Sequence, residues 1–414
     1  MCRQNSGLKV NGPRLWHDLM ELGAIGLTQN AGVTRLALSE AHMIAKNWFI
    51  ARAKEAGLEV EMDPALNVIC RMPFAHGSKA KTLITGSHLD TVPNSGKFDG
   101  ALGVLAALEC ARVLLEHDVT LPCNLEIVDF TDEEGYHNAG TIGSRAMLGL
   151  LKQKEIQESK MKGIPTFAQD MKHIGYDPEK ISEAKRDLSR IKAYLELHIE
   201  QGNQLESNNA AIGAVTGIVG IYRYDIRIVG EADHAGTTLM KQRKDVLVMA
   251  APLFQLLPQW VRARNSKMVG TIGQLTLEPG AMNIVPGECR FIVELRSMES
   301  QDMTAIHELL MEWVEAHPGS SIRTILEKDG VAMAAPLVEA VMRAAEKEGL
   351  KVMKIASGAG HDAQSFAKYL PSGMIFVPSK GGKSHCPEEW TSPEDVTKGC
   401  QVLLNTILQL TQND

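Results

Sequence analysis

The run Gly86-Ser-His-Leu-Asp-Thr-Val-Pro-Asn-Ser-Gly-Lys-Phe-Asp-Gly100 holds residue types well suited to chemistry. An apolar stretch with Leu83 and Ile84 leads into Gly86-Ser87 and reads as a strand presenting His88 and Asp90. Alternation along an extended chain puts these two on the same side. After a Pro/Asn/Ser/Gly turn, Asp99 stands just before an apolar helix expected over Ala101 to Leu115, where a carboxylate meets unpaired backbone N–H groups. An imidazole and two carboxylates so delivered suit a hard-to-borderline divalent cation. The plainer reading is a polar turn with a helix cap. Glu133 and Glu134 follow in Phe130-Thr-Asp-Glu-Glu-Gly135. Adjacent residues of an extended chain point to opposite sides, so one glutamate can ligate a cation while the other accepts a proton from water. A solvated acidic turn is the alternative there.

These groups need strand ends to hold them. Leu125 to Phe130 is a further buried strand, and Ala193 to Glu200 is another, with Glu196, His198 and Glu200 on one side. Residues 13 to 57 read as helices, Leu58 to Met62 and Val68 to Cys70 as strand, and 147 to 192 as a polar, Lys-rich helical surface. From Gly217 the texture changes. Tyr222, Tyr224, Ile226 and Ile228 alternate with Arg223, Asp225 and Arg227, as in a half-buried antiparallel strand. A helix from Asp245 to Arg264 (broken at Pro252 and Pro258), strands at Met268 to Leu277 and around Phe291 to Leu295, a helix at Gln301 to His317 and a strand at Ser320 to Leu326 complete a βαββαβ order. The expected fold is α/β: a catalytic domain (1–212 and 330–414) with a mixed central sheet flanked by helices, and an inserted α+β ferredoxin-like domain (213–329). After Gly330 come a helix, a strand, Ser357-Gly-Ala-Gly-His-Asp362, a buried strand at Met374 to Val377, and a loop with Ser384-His-Cys-Pro387.

The 414 residues are ample for two domains, and 44% hydrophobic with 22% charged residues is ordinary globular composition. A formal charge of -7 and the lack of any dense Lys/Arg block argue against nucleic acid. No run of ~18 uncharged apolar residues suggests a membrane span, and the start Met-Cys-Arg-Gln-Asn-Ser lacks a secretion core. Seven cysteines without a C-x-x-C pair fit free thiols in a reducing cytoplasm; Cys386, beside His385, reads as a bystander. No G-x-S-x-G elbow or P-loop occurs. Histidines and carboxylates at strand ends (His88, Asp90, Asp99, Glu133, Glu134, His198, His361, His385) suit a pair of divalent ions ~3.5–4 Å apart.

Several motifs in order resemble one family: Gly86-Ser-His-Leu-Asp-Thr91, Phe98-Asp-Gly100, Asp132-Glu-Glu134, Leu197-His-Ile-Glu-Gln-Gly202, His234-Ala-Gly-Thr-Thr238, Met282-Asn-Ile-Val-Pro286, Ser357-Gly-Ala-Gly-His-Asp362 and Ser384-His385. Together they resemble the hydantoinase/carbamoylase branch of the dinuclear metallo-aminoacylase and carboxypeptidase clan, from about residue 13 to the end. The resemblance implies two divalent ions per subunit, zinc or manganese, with cobalt and nickel as further candidates. Asp99 would bridge them, His88 and His198 would hold one, and Glu134 and His385 the other. Glu133 would be the general base, with Asp90 orienting the His88 ring. His234, Asn283 and Arg296 would bind substrate, and Gln201 and Gly360 would line its site. The family is typically a homodimer through the inserted domain, which acts as a lid.

The implied reaction is hydrolysis of the ureido C–N bond of N-carbamoyl-L-amino acids or related small ureido acids, releasing ammonia and carbon dioxide. His234 would steady the oxyanion, and Arg296 would clamp the substrate carboxylate with its guanidinium fork. Allantoate or ureidoglycolate hydrolysis is the alternative, an aminoacylase or dipeptidase of the same clan a further one, and a silent binding protein on this scaffold a third. Two departures stand out. Gly135-Tyr-His-Asn138 replaces the usual Gly-Ser-Arg-Phe, which bears on the substrate, and Leu66-Asn67 replaces Gly-Asn.

Overall fold

The structure, a computed structural model, describes residues 7–73, 80–137, 140–159 and 163–412; Cys2, the rest of the N-terminal hexapeptide and Asn138 lie outside these. Helices α1 (Gly12–Ala24) and α2 (Glu40–Glu55) precede strands β1 (Glu59–Met62), β2 (Val68–Arg71) and β3 (Thr82–His88). Next come α3 (Ala101–Glu116), β4 (Asn124–Phe130), α4 (Ile142–Met147), α5 (Gln153–Gln157), α6 (Phe167–His173), β5 (Ile191–Ile199), α7 (Gln204–Ser207) and β6 (Ile212–Ile218). The chain continues through β7 (Gly220–Val229), β8 (Asp233–His234), α8 (Val246–Arg264), β9 (Val269–Glu278), β10 (Ile284–Val285), β11 (Glu288–Ser297), α9 (Ser300–Ala316) and β12 (Ser320–Lys328). It closes with β13 (Val331–Ala332), α10 (Ala335–Lys347), β14 (Val352–Ser357), α11 (Asp362–Phe366), β15 (Ser372–Val377) and α12 (Pro393–Gln412). Two compact units result: Met1–Thr216 with Ala332–Asp414, and Gly217–Val331.

The first unit is a mixed α/β fold. Its nine-stranded sheet runs β1-β2-β4-β3-β5-β15-β6-β13, with β14 joined to β6. β3 is parallel to β4 and β5, and β15 is parallel to β5, while the pairs β1–β2, β2–β4 and β6–β15 are antiparallel. Every residue of β3 is buried, as expected of a parallel strand covered on both faces. α3 is apolar nearly all round (Ala-Leu-Gly-Val-Leu-Ala-Ala-Leu) and is correspondingly a core helix. Because the parallel strands share a direction, His88 lies level with Phe130, and His198 with Phe376. Polar side chains leaving these strands therefore gather at one edge of the sheet, where α/β folds place their ligands.

The segment 147–192 departs from the surface helix expected. Its described residues form the short helices α5 and α6 with turns between, and its Ile156, Phe167, Ala168, Met171, Ile181 and Ala184 form a satellite core with Leu66, Ile142 and Ala146. Leu66 sits at φ +66, a backbone region that a Cβ disfavours. Asp63 stabilises that turn by accepting from Ala65 N and Asn67 N at 2.8 and 2.9 Å.

In the second unit four antiparallel strands, in the order β12-β7-β11-β9, bury one face under α8 and α9. Tyr224, Ile226, Phe291 and Val293 from the sheet meet Leu253, Leu257, Ile306 and Leu310 from the helices. α8 is long and apolar enough to cross a membrane by length and composition alone, although its uncharged run, from Val246 to Val261, stays short of the ~18 residues looked for in the sequence. Here its Val246, Ala250, Leu253, Leu257 and Val261 stripe packs in this core. Nor is α8 broken at its prolines, since Pro252 and Pro258 lie off that stripe within one continuous helix. All six cysteines among the described residues are free thiols.

Candidate metal centre

His88 ends β3, and its Nδ1 hydrogen-bonds the main-chain oxygen of Asp90 at 3.0 Å. His198, near the end of β5, hydrogen-bonds Ile199 O through Nδ1 at 2.9 Å. A carbonyl only accepts, so in each ring Nδ1 carries a proton and Nε2 is the atom that faces inward and would be offered to a metal. Both Nε2 atoms face the same oxygen, Asp99 Oδ1, at 3.7 Å for His88 and 3.2 Å for His198. The other oxygen, Asp99 Oδ2, faces His385 Nε2 at 3.3 Å, and His385 Nε2 lies 3.6 Å from Glu134 Oε2. One carboxylate thus belongs to two donor sets, His88–Asp99–His198 and Asp99–Glu134–His385, each with ligand atoms within 4.8 Å of one another.

The backbone makes room for this. Gly100, at φ +63, caps α3 directly after Asp99, and a Cβ there would stand 2.4 Å from the His88 ring. Asp99, His88 and His198 are 3% exposed or less. Burial disfavours the Asp99 carboxylate, but hydrogen bonds with His198 and His385 hold it well below its usual range. Burial pushes His88 down to about 4. For His198 burial acts downward, but the bond to Asp99, the charges of Asp99 and Glu196 and the bond to Ile199 O together lift it to about 9.

The two glutamates diverge as expected, although they sit in a bend after β4 and not in extended strand. Glu133 Oε2 is 3.7 Å from His88 Nε2, whereas Glu134 turns to His385. Both are pushed well above the carboxylate range, mainly by burial; Asp362 is the largest charge acting on Glu133, and Asp99 on Glu134. Glu134 Oε1 is buried and has no hydrogen-bond partner. Buried, crowded carboxylates with an unpaired oxygen are what a cation compensates, so these residues fit divalent metal.

Asp90 differs from the expectation in detail. Its Oδ1 lies 3.8 Å from His88 Nδ1, so the ring is oriented by its main chain instead. Its carboxylate accepts from the backbone of the base loop, Glu133 N at 3.3 Å and Glu134 N at 3.2 Å. Gln201, at φ +58, reaches back to donate to Asp99 Oδ2 at 2.7 Å. Gly360 is exposed, with only Gln364 Oε1 within 4 Å of where its Cβ would be.

A third cluster, Glu196–His198–His361, is a hydrogen-bond network. Glu196 accepts from Ser87 Oγ and Ala363 N, and His361 Nε2 pairs with Ser357 Oγ at 2.9 Å. Glu200 caps α7 by accepting from Gln204 N and Leu205 N. His137 is buried between Asp132 and Asp170 at 2.9 Å to each, so the Tyr136-His137 departure is anchored in the fold. Sequence reasoning missed Glu389, which accepts from Phe98 N and Asp99 N and, with Ser384, ties the Asp99 loop to the His385 loop. An acid four residues past a candidate ligand was the available signal.

The remaining expected residues lie in the second unit. β8 and β10 form a two-stranded ribbon that brings His234 and Asn283 together, with Ala235 N donating to Asn283 O at 3.0 Å. Gly236 N and Thr237 N both donate to His234 Nδ1, which puts the ring proton on Nε2. Arg296, on β11, donates through Nε to Glu294 at 2.8 Å.

Residues 84–409 match the Peptidase family M20/M25/M40, and the chain belongs to that family. The family is metal-dependent, in keeping with the donor groups present. Within it, the N-carbamoyl-L-amino acid amidohydrolase of Geobacillus stearothermophilus is 39% identical over 413 residues, covering 98% of this chain and 100% of that protein. The allantoate amidohydrolase of Bacillus subtilis is 33% identical over 395 residues, 94% of this chain and 95% of the relative. A hydantoinase/carbamoylase family amidase from Burkholderia multivorans has a solved structure that matches with a TM-score of 0.88 at 33% identity, covering 98% of each chain. The resemblance read from the motifs holds.

Proposed function

We propose that the chain is a metal-dependent amidohydrolase that cleaves the ureido C–N bond of N-carbamoyl-L-amino acids or closely related ureido acids. The observation that carries this is Asp99, whose two oxygens face separate histidine-containing donor sets beside a second, divergent glutamate. In this reading His88 and His198 hold one divalent ion, Glu134 and His385 hold another, and Asp99 joins them. Zinc or manganese suits the nitrogen and oxygen donors, and cobalt or nickel would be accepted too. When bound, such ions polarise a carbonyl and lower the pKa of water.

The chain's own groups supply the rest. Glu133 takes the proton from the attacking water and returns it to the leaving nitrogen. Asp90 keeps Glu133 and Glu134 in place through their backbone N–H groups. Water and the carbamoyl compound give ammonia, carbon dioxide and the free amino compound. Gly217–Val331 is proposed as a ferredoxin-like lid and dimerisation domain, supported by its βαββαβ order and by strand order β12-β7-β11-β9. From it, His234 donates Nε2–H to the oxyanion, Asn283 and Arg296 bind the substrate, and the Arg296 fork grips its carboxylate. Gln201 and Gly360 line the substrate site. A homodimer, a cytoplasmic location and free thiols go with this reading.

The test is a substrate panel with ammonia readout after metal reconstitution: N-carbamoyl-L-amino acids, allantoate, ureidoglycolate and β-ureidopropionate against N-acyl amino acids and dipeptides. Ammonia release from a ureido acid is expected. Cleavage of N-acyl amino acids or dipeptides alone would refute the proposal.

A further inference from the structure

His137 is 1% exposed, and each ring nitrogen meets a carboxylate: Nδ1 to Asp132 Oδ2 and Nε2 to Asp170 Oδ2, both at 2.9 Å. With an acceptor on both sides, both nitrogens donate, so the ring is an imidazolium between two anions. The two partners belong to different parts of the first unit. Asp170 lies on α6, and the ring also meets Phe167 of that helix edge-on at a centroid distance of 5.2 Å. Asp132 is the residue directly before Glu133. It sits at φ +54, and its other oxygen accepts from Tyr136 N at 2.8 Å.

These bonds close the Glu133-Glu134-Gly135 turn into a ring from both ends. Asp132 holds its start and, through Tyr136 N and His137, its finish. Thr141 N donates to Glu133 O at 3.0 Å and Ile142 N to Asp132 O at 3.2 Å, so the return strand of the loop is fixed as well. The imidazolium carries this closed turn over to α6 through a charge-assisted bond to Asp170. Neither His137 nor Asp170 belongs to either donor set, and no step of the proposed hydrolysis uses them.

We propose that His137, held between Asp132 and Asp170, is a positioning residue that clamps the Glu133-Glu134 turn onto α6 and so fixes the general base and one metal ligand. It acts through Asp132 on the placement of two carboxylates. A misplacement of about 1 Å at a reacting group can cost on the order of 100-fold in rate. The inference rests on the roles proposed above for Glu133 and Glu134.

The experiment compares wild type with His137→Ala and with Asp170→Asn, a milder change on a quarter-exposed side chain that keeps one acceptor. Three readouts are taken: kcat and KM on the best ureido substrate, Mn2+ titration of apoprotein, and melting temperature. His137→Ala is expected to lose about 10- to 100-fold in kcat with KM nearly unchanged. It should also bind the second equivalent of Mn2+ more weakly and the first as before. Asp170→Asn should move both readouts the same way by less, and it carries the test alone if His137→Ala does not fold. A lower melting temperature with wild-type kcat and an unchanged Mn2+ titration would overturn the clamp and leave His137 a structural ion pair. If wild type hydrolyses no ureido acid, the functional reading fails while the Mn2+ titration still decides the clamp.

Discussion

At the strand ends of the first unit, Asp90, Asp99 and His198 are 3% exposed or less, and their ionisation is governed by burial and by the charged groups beside each. On the sheet face of the second unit away from its helices, Asp225 is 5% exposed beneath Arg290 and Arg323, and Arg227 pairs with Glu288, with guanidiniums that are half or more exposed. The first arrangement costs stability unless something compensates it; the second is cheap and worth little. Charge placed where it is expensive marks the chemistry. Charge placed where it is cheap keeps a sheet soluble and in register. His234, Asn283 and Arg296 fall between, since the second unit exposes or half-exposes them while their proposed partner is a substrate.

That contrast can be broken at several points. The largest effect is expected from Glu133→Gln, which removes the proton acceptor but little volume. Turnover should fall about 10²- to 10⁴-fold with metal content intact; near-wild-type kcat would remove Glu133 as base. His385→Ala should release one of two ions while the His88–His198 pair keeps the other, as metal analysis after dialysis would report. Unchanged stoichiometry would exclude His385 as a ligand. Arg296→Gln should raise KM about tenfold or more with kcat and metal content little altered, because the lost interaction is made equally in ground and transition states. An equal fall in kcat would place Arg296 in the transition state instead.

The smallest effect belongs to the open face. Arg290 first, against the opposing effect of burial and with help from Arg323, holds Asp225 at about 2. A carboxylate depressed on folding stabilises the native state above its unfolded pKa of about 3.9, and that contribution is lost as pH falls toward 2. Asp225→Asn should therefore cost less than about 1 kcal/mol at neutral pH, screened by salt, and nothing near pH 2. Thermal melts across that range check the sign, and a deficit that grew on acidification would contradict it.

The same contrast explains what the sequence revealed. His88, Asp90 and Asp99 were legible because strand alternation and a helix start fix their directions locally. Glu133 and Glu134 diverge as that rule led one to expect, but in a turn closed by Thr141 and Ile142 and not in extended chain. What escaped was set by partners far along the chain. β6 was not anticipated, since the expected domain boundary at 212/213 fell within it; Gly213 is where Ile355 and Phe376 close in, leaving 2.8 Å to a Cβ. α8 keeps its helix across Pro252 and Pro258 because tertiary burial of one stripe outweighs two missing N–H groups. The polar 147–192 segment hid a core of widely spaced apolar residues with no steady period. Asp90 was assigned to the right neighbourhood but to the wrong bond, since its carboxylate serves a loop more than forty residues later.

The central claim is that Asp99 is shared by two ions. Crystals grown with Mn2+ or Zn2+ and measured at the metal absorption edge test it directly. Two anomalous peaks about 3.5–4 Å apart, one beside each oxygen of Asp99, with His88 and His198 at one and Glu134 and His385 at the other, are predicted. A single peak, or peaks that leave Asp99 uncoordinated, would contradict the account.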